Sequence, residues 1–420
     1  MSIRSDPARF GRGRVIAVAA TAMVLTAPGQ TAAISVFVAP VQSELKLSST
    51  SVSGAYLIGS LAGAWILPLL GHAIDRWGPR LLMALIGGVF GSVLVALSMV
   101  SGVIGLTAGF VGIRMAGQGA LGLVATTTVA LYVHRRRGLA QGMTAAVGGA
   151  GISLAPVILE GFVRDYGFRQ VWLAEGVLVW CVVIPLALLG LRRPRPASSG
   201  PNAVVDVPGG PVAADEAPSW TLRGAMGTGM FWLVTGGVAV VSMLGTALNF
   251  HQIAILGERG LSPAAAAANF IPQTVAGLAA TLLTGYLADR VADRVLIAGS
   301  MIVMIIALVS AGYVTPGWSA VGYAVAIGTA GNSIRTLEAT AFPHAFGLAH
   351  IGAIRGAVHM AAVAATAFGP VLFSVVRDVS SSYRPVLLIS TLLPAAVALA
   401  SVFARRPGAA PRRGRHDTSG

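Results

Sequence analysis

Charge is what this 420-residue chain has least of: only 10% of its residues are charged, against roughly 25% in soluble domains. A water-soluble protein of this size could not cover its surface with so few charges, so soluble enzymes and regulators are excluded. The single cysteine, Cys181, excludes a disulfide framework and any Cys-rich metal site. Lysine is confined to Lys46, so nearly all the basic residues are arginine, read here as a compositional bias. No phosphate loop, His-Glu-x-x-His run or nucleophile elbow is present, and no ATP-binding domain, so neither catalysis nor nucleotide-driven work is expected. No cofactor and no metal are expected.

What the chain has is apolar length and glycine. Hydrophobic residues make up 55% and glycines number 53, a combination that also excludes disorder. A bilayer core of about 30 Å needs roughly 20 apolar residues per helix. Twelve segments qualify: 15–41, 51–71, 81–101, 104–133, 139–159, 170–191, 226–256, 263–287, 295–315, 317–342, 351–376 and 385–404. Val15–Ala27 behind Arg4, Arg9, Arg12 and Arg14 could mimic a signal peptide, but apolar character continues past it and a retained first helix is expected.

The formal net charge of +14 is then an orientation signal rather than nucleic-acid affinity. With the N-terminus inside, 21 basic residues fall on the cytoplasmic side and six on the other, which predicts both termini in the cytoplasm. A multi-pass protein of the inner (cytoplasmic) membrane is expected. Residues 192–222, rich in Pro, Gly and Ser, read as a cytoplasmic linker between two six-helix halves, 1–191 and 223–404, with 405–420 as a tail.

The halves repeat. An offset of 214 carries Leu47-Ser48 to Leu261-Ser262, Gly63 to Gly277, Gly71 to Gly285, Asp75-Arg76 to Asp289-Arg290, Gly117 to Gly331 and Pro156 to Pro370. Parallel halves suit a carrier whose site lies between them.

The loop after helix 2 contains Gly71, Asp75, Arg76, Gly78 and Arg80, and its second copy Gly285, Asp289, Arg290 and Arg294, without the second glycine. This pattern resembles the signature loop of the major facilitator superfamily, where it implies a latch that holds one conformation. Arg114-Met-Ala-Gly117-Gln118-Gly119 is similar to that family's helix-4 motif. Arg137-Gly138-Leu-Ala-Gln-Gly142 in helix 5 and Gly347-Leu-Ala-His350-Ile-Gly352-Ala-Ile-Arg355-Gly356 in helix 11 resemble its monocarboxylate and oxalate–formate branch. The helix 1 and helix 8 charges of that branch are absent. This chain has Ala27-Pro28-Gly29-Gln30-Thr31 and no charge between Leu261 and Leu287.

The resemblance implies an all-α polytopic membrane protein of 12 transmembrane helices in two pseudo-symmetric halves, the major facilitator fold. It implies secondary active transport of a small organic solute by alternating access, with a proton as the coupling ion and a monomeric carrier. Two substrate readings stay open, a monocarboxylate-type anion and a drug-like or amphipathic metabolite exported by proton exchange. Polar groups inside spans are the candidate substrate or coupling residues: Gln30, Arg114, Gln118, Asn249, His251, Gln252, Arg335 and Glu338. Arg335 and Glu338 stand at i,i+3 and can pair on one face. Glu160 and Glu175 are further carboxylates toward the outer face, open either to titration once desolvation raises their pKa or to plain solvation.

Overall fold

The computed structural model describes residues 7–133, 137–191, 220–288, 290–347 and 351–403, with side chains at 7–12, 64–72, 74–75, 137–138, 343–344 and 352–353 outside that description. Among the described residues all regular structure is helical. Ten helical stretches are long and apolar enough to cross a bilayer, from Gly13–Leu45 (span 1) to Arg384–Phe403 (span 12). Between them come Arg76–Ser98 (span 3), Val103–Tyr132 (span 4), Leu139–Tyr166 (span 5) and Phe168–Gly190 (span 6). The second set holds Gly229–Phe250 (span 7), Pro263–Ala288 (span 8), Asp293–Tyr313 (span 9) and Ile354–Ser380 (span 11).

Two further expected helices complete the twelve. Residues 49–77 (span 2) belong to one run, Ser49–Ser98, which bends where Gly78 takes φ 75° and ψ 156°. The expected loop after helix 2 is therefore helical up to that one residue. Span 10, Trp318–Phe346, has 29 residues, enough for about 43 Å of helix. Asn332, Ser333, Arg335, Thr336 and Glu338 lower its hydropathy without shortening it.

Several spans are not continuous, which their apolar runs do not reveal. Span 1 stops at Val24, makes a 3-10 turn at Ala27–Gly29 and restarts at Thr31. Pro28 lacks a backbone donor, so the ladder cannot run through it, and Gly29 packs where a Cβ would meet the Ile113 carbonyl at 2.5 Å. Span 4 widens into a π-helix at Arg114–Leu121. The expected helix 7 divides into Gly229–Phe250 and Gln252–Gly257, preceded by a short helix at Leu222–Met226.

The internal repeat is visible as repeated contacts. Ser48 and Ser262 both cap the following helix, accepting from Ser51 N–H and Ala265 N–H respectively. Gly63 lies against the backbone of Arg114, and Gly277 lies against Gly328, each pair separated by the same 214 positions. Buried apolar side chains form two clusters, one drawn from residues 15–191 plus Phe250, the other from residues 225–387. The expected 192–222 linker and 405–420 tail lie outside the described residues, apart from the last positions of the linker.

Chain direction alternates, so the end reached by Leu45, Tyr166, Phe250 and Ser380 is opposite to the end holding the termini. At this distal end the two sets of six meet. The Thr50 N–H and hydroxyl both donate to Asp378 Oδ2, at 3.0 and 2.7 Å. Ser49 donates to Ser374 Oγ at 3.1 Å, and Tyr56 packs on Phe250 with centroids 4.7 Å apart. Deeper in, Ser153 and Thr274 hydroxyls hydrogen-bond between spans 5 and 8. Among the described residues no side-chain hydrogen bond joins the two sets at the terminal end. The bundle is sealed distally.

Candidate binding site and distal seal

Arg114 is the centre of the candidate site. It is 6% exposed at the first position of the π-turn, where the extra residue turns its side chain toward the break in span 1. One terminal N–H donates to the Gly29 carbonyl at 3.2 Å, and the same nitrogen reaches Thr31 Oγ1 at 3.5 Å. The 3-10 turn creates that acceptor, because no regular helix passes through residues 27–29. The guanidinium lies 4.7 Å from the Tyr56 ring centroid, and the Tyr56 hydroxyl is 2.6 Å from Thr31 Oγ1. Nε is buried and has no hydrogen-bond partner, and no carboxylate among the described residues forms an ion pair with the group. A buried cation held by a carbonyl, a hydroxyl and an aromatic face, with a donor still unused, is chemically an anion receptor.

Around it the other expected residues separate. Gln30 donates to Thr26 Oγ1 at 3.1 Å, closing the span 1 break on itself. Gln118 is exposed on the π-turn, and its backbone N lies against Gly29. Asn249, His251 and Gln252, adjacent in sequence, point to three different partners. Asn249 Oδ1 accepts from Gln273 at 2.9 Å, and Gln252 donates to the Ala266 carbonyl at 3.1 Å while its Oε1 stays unpartnered. Arg335 is exposed and Glu338 half-buried on span 10, where the two charges interact at longer range than a salt bridge.

His251 belongs to the distal seal. It is 1% exposed, with Nε2 3.0 Å from the Pro370 carbonyl and 3.2 Å from Ser374 Oγ, and Nδ1 3.0 Å from the Tyr383 hydroxyl. A carbonyl can only accept, so Nε2 carries the proton and Nδ1 accepts from Tyr383. Burial pushes the Tyr383 hydroxyl up to about 12, so it stays a donor at any physiological pH. Ser374 in turn accepts from Ser49 of the other half, so the histidine network ends on the interface itself. Glu258 accepts from the Ser382 hydroxyl and the Tyr383 N–H, both at 3.1 Å, fixing the turn that presents the tyrosine.

Site and seal are in contact. Arg114 stacks on Tyr56, Tyr56 on Phe250, and Phe250 packs edge-on to His251 at 4.9 Å. Tyr56, Gln273, Ser49, Ser374, Tyr383 and Asp378 were not singled out by sequence. Their partners lie from 24 positions away, for Gln273 and Asn249, to 328, for Asp378 and Thr50.

Of the expected latch, the side chains at Gly71 and Asp75 and the whole of Asp289 lie outside the described residues. Arg76 is exposed, and Arg80 is half-buried at the start of span 3. Gly78 supplies the bend. In the second copy the guanidinium of Arg290 lies 3.8 Å over the Tyr286 ring, one turn after Gly285, and Arg294 is exposed.

The family model of the Major Facilitator Superfamily matches residues 16–370, and the chain belongs to that family. It is accordingly a multi-pass membrane protein of the major facilitator type. It is 32% identical over 224 residues to a triacylglyceride transporter of Mycolicibacterium hassiacum, covering 50% of this chain and 39% of that protein. It is 25% identical over 166 residues to the oxalate:formate antiporter of Oxalobacter formigenes, covering 40% and 39%. With monocarboxylate transporter 14 of Homo sapiens it shares 31% over 160 residues, covering 36% and 29%. The matched stretches thus span well under half of these relatives. Among solved structures, a bacterial homologue of the human lysosomal transporter Spinster, inward-facing and occupied, superposes with a TM-score of 0.69 at 17% identity over 95% of this chain and 97% of that one. The nucleoside transporter NupG gives 0.72 at 14% identity over 93% and 98%. Both show the fold.

Proposed function

Taking the chain as a member of the major facilitator superfamily, we propose that it is a secondary active transporter of a small monocarboxylate-type anion, bound at Arg114 and driven by a proton gradient. The observation that carries this is the buried guanidinium with an unused Nε donor and no carboxylate partner. A cation held inside a bilayer protein without a counter-charge is costly, and an incoming anion offsets that cost. Similarity to an oxalate:formate antiporter and a monocarboxylate transporter supports the same substrate class.

Residues 1–191 and 223–404 would move as two halves joined by the 192–222 linker. The 21-to-6 distribution of basic residues supports a reading with both termini in the cytoplasm of an inner-membrane protein. The distally sealed bundle is then the inward-open state of an alternating-access cycle. An anion on Arg114 competes with the Gly29 carbonyl and the Tyr56 face for the guanidinium. Tyr56 transmits that change to Phe250 and the seal.

Uptake of labelled formate, oxalate, lactate and pyruvate into proteoliposomes under imposed pH gradients tests the assignment. Arg114→Ala should reduce kcat/KM at least about 30-fold, the effect of losing roughly 2 kcal/mol of charge-assisted contact. Arg114→Lys should recover part of it. Unchanged flux in Arg114→Ala, or no carboxylate flux at all, refutes the anion reading. The similarity to a triacylglyceride transporter favours a second reading, export of an amphipathic metabolite, which the same vesicles test with a lipid-like cargo.

A further inference from the structure

Spans 5 and 6 part toward the distal end, and the gap between them is a cleft of about 630 Å³. That volume is in the range of small-molecule sites. Its floor is the broken middle of span 1, including Pro28; its walls are Ala155, Ile158 and Phe162 from span 5 and Leu178 from span 6. Ile158, Phe162 and Leu178 are each more than half exposed, at 56%, 51% and 51%, on the bilayer-facing surface. All of the cleft's lining belongs to spans 1, 5 and 6, so it opens on the outer surface of that half and not between the two halves.

Into this apolar cleft projects Glu175. The residue is 9% exposed, and Oε2 is buried with no hydrogen-bond partner. Seven residues into span 6, it lies about 10 Å below the start of the helix. No cation among the described residues pairs with it. The contrast with Glu160 is direct, since that carboxylate has Arg164 at 3.9 Å. Sequence position left both glutamates open to desolvation or solvation near the outer face; both are buried, at 7% for Glu160 and 9% for Glu175. Phe162 and Tyr166, which line the same cleft, offer aromatic faces with centroids 6.2 Å apart.

We propose that this lateral cleft is a binding site for a membrane-borne lipophilic amine, its protonated nitrogen on Glu175 and its hydrocarbon body along spans 5 and 6. Carboxylate and aromatic faces both favour a cation. A lipid acyl chain would fill the volume and leave Oε2 unpartnered, whereas an ammonium supplies both a donor and a counter-charge. The site is chemically opposite to the Arg114 site, which repels cations, and it stands whether or not the anion assignment does. Pro28 ties the two together physically, since it lines the cleft one residue from the carbonyl that holds Arg114.

The test uses the full chain in phosphatidylcholine nanodiscs and a C12 primary amine carrying a chain diazirine. After illumination, labelled peptides are mapped by mass spectrometry. Label is expected on residues 151–179, displaced by dodecylamine at concentrations at least tenfold lower than by dodecanol. Glu175→Gln should reduce labelling about tenfold. Ala174→Phe, which narrows the cleft from its exposed side, should block labelling while leaving the buried carboxyl in place. Gel filtration and melting temperature establish that each variant is folded, and if Glu175→Gln is not, Ala174→Phe decides. Equal labelling of wild type and a folded variant, equal displacement by amine and alcohol, or label confined to other spans would each overturn the proposal.

Discussion

At residue scale, Gly78 is where the signature pattern becomes geometry. Its φ of 75° with ψ 156° lies in a region that is essentially glycine-only, so the bend between spans 2 and 3 depends on a missing Cβ. The repeat explains what happens without it. The equivalent position is Ala292, which takes φ −62° and ψ 135°, and there the chain leaves the helix at Ala288 and restarts at Asp293. Gly78→Ala should therefore cost about 1–3 kcal/mol of strain and lower the melting temperature in detergent, whereas Ala292→Gly should change it by much less. Equal melting of the two variants would mean the bend is not strained. Arg114 was legible because an arginine inside an apolar span always needs a reason. Tyr56 was not, because an aromatic residue in a span reads as packing until a cation is found over its face.

At the scale of elements, apolar runs place the spans but do not show their interruptions. Hydropathy averages over about twenty residues, whereas the 3-10 turn at Ala27–Gly29 and the π-turn at Arg114–Leu121 involve three and eight. Pro28 and Gly29 signalled the first. Nothing in Arg114–Leu121 signals a π-turn, which arises where span 4 packs against Gly29, Gly63 and Phe90. The two irregular turns face each other, and the Arg114 side chain of one donates to the Gly29 carbonyl of the other. The cluster Asn249, His251 and Gln252 shows the converse. A sequence cluster at the end of span 7 became three separate contacts, because the helix stops at Phe250 and restarts at Gln252.

At the scale of the molecule, the distal seal joins residues more than 300 positions apart. Ser49 Oγ and Ser374 Oγ are 3.1 Å apart, close enough for a disulfide between cysteines placed there. In a Cys181→Ser background, Ser49→Cys with Ser374→Cys should cross-link on oxidation, stop transport, and recover on reduction. A membrane-impermeant thiol reagent applied to intact cells should reach these cysteines only after the seal opens, if the distal end faces outward. Cross-linked protein that transports normally would rule out opening of this seal as part of the cycle. Labelling of the reduced pair from the cytoplasmic side alone would reverse the proposed orientation.

The low charge content, the twelve apolar runs, the uneven arginines and the 214-residue repeat determined by themselves that this is a twice-six helical membrane protein. They suffice because burial in lipid constrains every residue of a span, and that constraint is written locally. Which polar residues meet was decided only by tertiary structure. Arg114 finds Gly29 and Tyr56, His251 finds Pro370, Ser374 and Tyr383, and Glu175 Oε2 finds no partner among the described residues. A hydrogen bond between distant segments leaves no periodicity in either of them, so it becomes visible only when the helices are packed.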